Sequence, residues 1–211
     1  MAVDIDGVNS TVSTATISTD KLIPQSGTAL QIGESSDVIT IPSGATITNS
    51  GTANGFGGGK VLQVVSYTKK DVFSTTTASY VDTGLEVSIT PASGTKVLVL
   101  VNFSMGMPTS YYGWSRLVRD STDICIADAD GVRPRATWNN NQSEWQLVTY
   151  EMGINHLDTH GADGSTAVAY KVQFNSHDSG AMKMNASADD SNNANSGCRA
   201  VSAITAMEIG A

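Results

Sequence analysis

Aromatic residues are scarce in this chain: they make up 6% of its 211 residues, and residues 1–54 contain none. Large aromatic side chains supply much of the apolar area that a closed core buries. A segment without them, built from Thr, Ser, Gly and short aliphatics, cannot close a thick hydrophobic core alone. We therefore expect this first segment to obtain its missing faces from other copies of the chain or from another protein.

Charged residues are also few, at 15% of the chain, and the formal net charge is −8 at pH 7. No basic stripe is present, which argues against nucleic acid as a partner. The acidic balance argues against an anionic membrane surface, and no apolar run approaches the roughly 20 residues that a membrane-spanning helix needs. Low charge with abundant Thr, Ser, Asn and Gly favours β-structure with many turns over a helical enzyme.

The two cysteines, Cys125 and Cys198, are too few for a disulfide framework. Both lie among apolar or small residues, so we expect buried thiols, with one disulfide as the alternative and metal ligation as the least favoured role. The sequence contains no Gly-x-Ser-x-Gly motif, no recognisable Cys/His catalytic motif and no phosphate-binding loop. We therefore expect no cofactor and no enzymatic activity.

Composition divides the chain into four regions. Residues 1–20 are rich in β-branched residues and are predicted to form an attachment arm that docks on another protein or on sister chains. Residues 55–60 are glycine-rich and are expected to act as a hinge, because glycine accepts backbone conformations that other residues avoid. The intervening residues 21–54 are predicted to form a β-stalk, and residues 61–211 a separate head.

The predicted stalk contains a loose internal repeat of a short apolar strand, an Ile-Pro step and a small-residue turn. A spacing of about 18 to 20 residues between such units is typical of β-solenoids or intertwined stalks. The alternative is a disordered linker rich in Ser and Thr. The aliphatic positions expected to form a stalk core shared between chains are Leu22, Ile23, Leu30, Ile32, Val38, Ile39, Ile41 and Ile47.

The head is predicted to be all-β, with about ten strands and no amphipathic helix. The nearly continuous apolar run Lys96 to Phe103 predicts a central buried strand, and Trp145 to Met152 predicts another strand. Turns are predicted at Asp82 to Gly84 and at Pro91 to Gly94. This pattern indicates a two-sheet antiparallel β-sandwich, jelly-roll-like in topology.

Exposed aromatic and amide side chains are the candidates for contact with a receptor. Aromatic faces stack on sugar rings, and amides both donate hydrogen bonds to hydroxyl groups and accept them. We predict a polar loop around Trp138, while Trp114 and Trp145 are interpreted as core or subunit-interface residues. The candidate contact residues are Trp138, Asn139, Asn140, Asn141, Tyr111 and Tyr112.

Two short motifs resemble metal sites, but their flanking residues favour ordinary turns and loops. His156 and His160 would share one face of a helix, but Asn155 and the glycines of residues 161–164 predict a loop with solvated histidines. Residues 128–131, Asp-Ala-Asp-Gly, resemble the start of a calcium loop, yet the glutamate required later in such a loop is missing. We expect an ordinary hairpin turn there and no bound metal.

Five stretches that cover roughly a third of the chain carry a family resemblance: Leu22–Gly51, Gly59–Thr68, Tyr80–Val101, Leu117–Thr122 and Ser202–Ile209. In sequence and order they resemble tail-fibre-like and other appendage proteins of bacteriophages of marine bacteria. The resemblance lies in segments from the stalk to the last strand, not in catalytic residues.

That resemblance implies a homotrimeric, non-enzymatic structural protein of the virion, assembled in the host cytoplasm. The N-terminal arm of such a tail fibre or spike attaches to other virion proteins, of the tail or the capsid. A threefold β-stalk then presents a β-sandwich head that adsorbs to host-surface glycans or proteins. The alternative is a capsid decoration or head-fibre protein of the same trimeric build. A glycan-cleaving enzyme is a third class, for which the sequence offers no particular carboxylate pair.

Overall fold

The computed structural model describes residues 35–36, 38–46, 48, 50, 61–141, 147–195 and 197–210. The chain divides into two units, Met1–Ala53 and Asn54–Ala211. The predicted arm and hinge lie outside the described residues, as do the stalk positions Leu22, Ile23, Leu30, Ile32 and Ile47.

In the first unit, the described residues form two turns and no regular strand. One turn surrounds Gly44, whose φ is +85°, and the amide of Ala45 donates a hydrogen bond to the carbonyl oxygen of Pro42 at 3.1 Å. The aliphatic side chains that precede this turn are exposed in the single chain.

The second unit is all-β, as predicted. Its described residues contain no helix, and therefore none that is long and apolar enough to cross a membrane. The strands are β1 (Val61–Lys69), β2 (Phe73–Thr75), β3 (Val81–Ile89), β4 (Lys96–Gly106), β5 (Tyr112–Arg119), β6 (Thr122–Ile124), β7 (Trp138–Asn141), β8 (Tyr150–Asp158), β9 (Val168–Ser176), β10 (Met182–Met184) and β11 (Ser202–Ile209).

These strands form two antiparallel sheets. In sheet A, β1, β11, β4 and β8 lie side by side, and the short strands β2 and β10 pair with each other beyond the ends of β1 and β11. In sheet B, β3, β9 and β5 lie side by side, and both β6 and β7 pair with the remaining edge of β5. The two sheets form a β-sandwich, and their strand order is that of a jelly roll.

Strand β4 is the central strand of sheet A, which confirms the prediction for Lys96 to Phe103. It pairs with β11 along one edge and with β8 along the other. Its inward side chains, from Val97 to Met105 at every second position, are buried, whereas Leu98 and Leu100 on the opposite face are half-buried. Apolar residues on both faces explain why the sequence of this strand is continuous rather than alternating.

The core lies between the sheets and is centred on aromatic rings from both. The ring of Phe103 in sheet A meets the rings of Trp138 and Phe174 in sheet B, with centroids 5.0 and 5.5 Å apart. The ring centroid of Phe73 lies 6.1 Å from that of Phe174 in an edge-to-face arrangement. The edge-to-face and tilted arrangements are those that aromatic pairs prefer.

The turn predicted at Asp82 to Gly84 is wrong, because these residues lie inside β3. The pairing of β3 with β9 changes register between Asp82 and Glu86, and Gly84 has a φ of +78°. Glycine here permits a β-bulge, an irregularity that keeps the strand continuous while it bends.

The predicted elements around Trp138 and His156 also need correction. Trp138 and the asparagines after it form β7, not a polar loop, because they pair with Tyr112–Ser115 of β5. His156 lies in strand β8, which spans Tyr150–Asp158 rather than Trp145 to Met152. In both cases pairing with a neighbouring strand overrides local polarity.

Candidate functional site

Trp138 is a core residue and does not offer a face to solvent. Its side chain is 8% exposed, and its indole Nε1 donates a hydrogen bond to the carbonyl oxygen of Gly153 at 3.3 Å. In the antiparallel register Trp138 stands opposite the buried Ser115, so its side chain shares the inward face of sheet B. This placement removes Trp138 from the candidate contact residues.

The next register position brings Asn139 and Trp114 together on the outward face of sheet B. Asn139 stands opposite Trp114 in the ladder between β7 and β5, and it is exposed. Trp114 is half-buried and contacts the imidazole of His177 edge-on, with ring centroids 5.1 Å apart. The tryptophan that accompanies the amide on this face is therefore Trp114, which the sequence interpretation assigned to the core or an interface.

Trp114 and Asn139 line a hollow of about 370 Å³ together with residues of the loop before β7. We call it the Trp114 hollow. The loop is held by the amide of Ala127, which donates to Ala136 O, and by Arg135 Nε, which donates to Ala127 O at 2.6 Å. The remaining lining residues are Ala127, Arg133, Pro134, Ala136 and Thr137.

The Trp114 hollow combines an indole and a proline ring with hydrogen-bonding groups at its rim. Asn139 can both donate and accept, and the exposed guanidinium of Arg133 donates to the carboxylate of Asp130. Flat apolar surface beside amide and guanidinium groups suits a ligand with an apolar ring face and hydroxyl groups at its edge, as in a pyranose. The ion pair with Asp130 leaves the rim without a large excess of either charge.

Tyr112 belongs to the same outward face as Trp114, two positions earlier on β5, and is exposed. Tyr111 is also exposed and lies just before β5, with its ring packed against Gly180. Asn140 and Asn141 pair through their backbones with Gly113 and Tyr112, and their side chains lie outside the described residues. The structure thus gathers Tyr112, Trp114 and Asn139, and separates them from Trp138.

The rest of this face is occupied by paired charges. Arg116 Nε and Nη1 donate to Gln173 and Asp123 at 2.9 and 2.6 Å, and the guanidinium lies 4.0 Å from the ring centroid of Tyr80. Burial raises the pKa of Tyr80, an effect that the positive charge of Arg116 partly opposes. Although partial burial raises the pKa of Asp82, hydrogen bonds from Gln173 and Lys171 bring it below its usual value.

The three histidines make three different contacts. His156 Nε2 lies 3.8 Å from Asp158 Oδ1 on β8, His160 Nδ1 accepts a hydrogen bond from the amide of Ala162 at 2.8 Å, and His177 contacts Trp114. Within the residues that the structure describes, no three His, Cys, Asp or Glu side chains are arranged to hold a metal ion. In the predicted hairpin at residues 128–131, the amide of Arg133 donates to Asp130 O at 3.2 Å.

Both cysteines are free thiols. Cys125 packs at the margin of the core, and burial raises the pKa of its thiol. Cys198 is exposed, so the expectation of a buried thiol is wrong for this residue. It lies in the loop before β11, whose residues are mostly solvent-accessible despite their small size.

Two buried carboxylates are engaged in structural contacts. Glu208 accepts hydrogen bonds from the amide of Ala92 and the hydroxyl of Thr95, and so holds the turn before β4. Asp158 accepts hydrogen bonds from Arg119 and Tyr170 of sheet B.

Comparison with known proteins adds no further guide to function, because no protein-family model matches the chain and a search of curated proteins finds no match.

Proposed function

We propose that this chain is a non-enzymatic structural protein of a bacteriophage virion, a trimeric tail fibre or spike that attaches by its N-terminal part and presents the sandwich to the host surface. The observation that carries the proposal is the exposure of Val38, Ile39 and Ile41, at 86%, 59% and 46% in the single chain. Neighbouring aliphatic side chains so exposed are characteristic of surfaces that a partner covers. The sequence resemblance supports a trimer as that partner.

Such a trimer adsorbs through several weak contacts at once. Each Trp114 hollow offers few hydrogen-bonding groups, so a single contact with a host-surface glycan is weak. Three heads on one fibre, and several fibres on one particle, raise the effective concentration of the second and later contacts. Weak individual sites then give lasting attachment.

A capsid decoration or head-fibre protein of the same build is the alternative, and it differs in where the N-terminal part docks.

The first test is the native mass of the full chain by light scattering. A trimer has three times the 22.0 kDa mass of the chain. A chain that stays monomeric at all concentrations contradicts the proposed assembly.

Electron microscopy of labelled virions then distinguishes a tail location from a capsid location. Release of reducing sugars from host polysaccharide would contradict a non-enzymatic role.

The variant Ile39→Asp is expected to abolish the trimer, because it places a carboxylate without a partner where apolar side chains meet. Light scattering should report the mass of one chain. Ile39→Val, which keeps the side chain apolar, is the matched control and should remain trimeric. A trimeric Ile39→Asp protein contradicts the proposal that this segment forms a shared apolar core.

The variant Trp114→Ala is expected to weaken binding of labelled protein to host cells by at least about 10-fold, as loss of a central aromatic contact does at many interfaces. Its native mass should equal that of the unmodified chain, because Trp114 faces outward from sheet B. Tyr150→Ala removes an exposed aromatic side chain from sheet A and serves as the control with unchanged binding. Equal binding by Trp114→Ala and the unmodified chain contradicts a role for the hollow.

A further inference from the structure

The face of sheet A that points away from the core carries a row of aliphatic side chains across four adjacent strands. Val64 pairs with Met207, Met207 with Leu98, and Leu98 with Leu157, so the four side chains form a straight line perpendicular to the strands. Val64 and Leu157, at the two ends of the row, are 54% and 49% exposed. We call these four residues the aliphatic row.

Beside the row, small side chains leave a hollow of about 520 Å³ on the same face. Gly153 and Ala203 stand on either side of Asn102 in the ladder, and neither fills the space above the sheet. We call it the small-residue hollow. The side chains of its outward-facing lining come from Leu100, Asn102, Asn155, Ala203 and Thr205, with Gly153 between them, and all are uncharged.

The distribution of charge favours another copy of the chain as the partner of this face. Each chain carries a net charge of −8, so two copies repel each other, and they do so least where the surfaces in contact carry no charge. Charged residues on the outward face stand at its ends, with Lys96 beside Ile209 and Glu151 beside Ser104. The neutral centre between them lets two copies meet without the cost of burying an unpaired charge.

The area of the face is sufficient for such a contact. Strands lie about 4.8 Å apart and rise about 3.3 Å per residue, so four strands of about eight residues present roughly 500 Å² per copy. A copy that shares this face between two neighbours buries about half of it against each, so a closed ring of three removes roughly 1,500 Å² from solvent in total, a size found in specific assemblies. The raised row and the adjacent hollow also provide complementary shapes.

We propose that the outer face of sheet A is the surface through which the heads of neighbouring copies associate, with the aliphatic row of one copy seated in the small-residue hollow of the next. Because each face carries both a row and a hollow, every copy can contact two neighbours, as a closed ring requires. The number of copies rests on the proposed trimeric function, whereas the choice of surface rests on the geometry of sheet A.

The test measures thiol labelling of the full-length chain under conditions in which its native mass is recorded. In a Cys198→Ser background, which removes the exposed native thiol, Leu157→Cys and Thr205→Cys probe the row and the hollow. Val132→Cys is the control, because Val132 is 102% exposed and lies in a loop. We expect the thiols at positions 157 and 205 to react at least 10-fold more slowly than the thiol at position 132 in the oligomer.

Labelling of native protein at equal rates at all three positions, in a chain whose mass is that of a trimer, overturns this inference and leaves the proposed function intact. A monomeric chain with equal labelling overturns both. A second measurement covers the case of a misfolded cysteine variant: Leu157→Asp should raise the concentration at which the oligomer dissociates by at least 10-fold, and Val132→Asp should not. Unchanged dissociation of Leu157→Asp likewise overturns the inference.

Discussion

Replacing Phe103 with alanine is expected to lower the free energy of unfolding of the sandwich by about 4 kcal/mol. Phe103 is fully buried, and its ring joins Trp138 and Phe174 across the interface between the two sheets. The loss combines the burial of one aromatic side chain with a cavity that the paired strands around it cannot close. Denaturant unfolding followed by tryptophan fluorescence, at one fixed protein concentration, measures the change.

Two control variants separate this effect from a general sensitivity to substitution. Phe103→Leu keeps most of the volume and should cost less than about 1.5 kcal/mol. Phe73→Ala removes a ring that is only partly buried, at the edge of the same cluster, and should cost less than Phe103→Ala. Equal losses for Phe73→Ala and Phe103→Ala contradict the central position that the structure assigns to Phe103.

The strands that could be predicted from the sequence are those whose own pattern determines their position. Strand β11, Ser202–Ile209, is predicted from its run of aliphatic and β-branched residues, and its burial alternates strictly, although polar Ser202 and Glu208 lie on the buried face. Strand β4 is apolar on both faces because it is central to its sheet. In both strands the local composition predicts a strand, but in β11 the residue types do not show which face is buried, because Glu208 and Ser202 are held inside by hydrogen bonds to Ala92, Thr95 and Asn185.

Strand β7 could not be predicted, because its position depends on a partner distant in sequence. Trp138 is followed by three asparagines, a composition typical of a loop, and only the pairing with β5 makes these residues a strand. That pairing also decides which tryptophan reaches solvent. Trp138 faces the core and Trp114 faces outward, although both lie among polar or small residues in the sequence.

The same limit applies to the partners of Asp158. In the sequence Asp158 lies between His156 and His160, and only the packing of the two sheets brings it to Arg119 and Tyr170. Arg119 and Tyr170 stand opposite each other in sheet B, whereas Asp158 ends β8 in sheet A. Contacts of this kind between sheets have no periodic signature in the sequence.

Asp158→Ala is expected to lower the free energy of unfolding by about 3–5 kcal/mol, the cost typical of removing one partner from a buried ion pair. The carboxylate of Asp158 accepts hydrogen bonds from Arg119 Nη1 through both oxygens at 2.8 Å, and from Tyr170 Oη at 2.8 Å. Burial and the adjacent carboxylate raise the pKa of Tyr170, so the phenol stays protonated and its O–H donates a hydrogen bond to Asp158. Denaturant unfolding at neutral pH measures the change.

Tyr170→Phe is the smaller perturbation at the same place. It removes one hydrogen bond but leaves Asp158 bound to Arg119, so we expect a loss of only about 1 kcal/mol. A loss for Asp158→Ala no larger than that for Tyr170→Phe contradicts the view that the carboxylate links the two sheets.

The triple variant Arg119→Met, Tyr170→Phe, Asp158→Leu distinguishes two origins of the loss. If the loss in Asp158→Ala comes from the guanidinium and phenol left without an acceptor, replacing all three groups with apolar ones should restore much of the stability, because apolar replacements of buried ion pairs are often neutral. If it comes from attraction between the sheets that only these charges supply, the triple variant should remain as unstable as Asp158→Ala. We expect restoration, since Asp158 is buried and Arg119 largely so, and the desolvation of both already opposes their attraction.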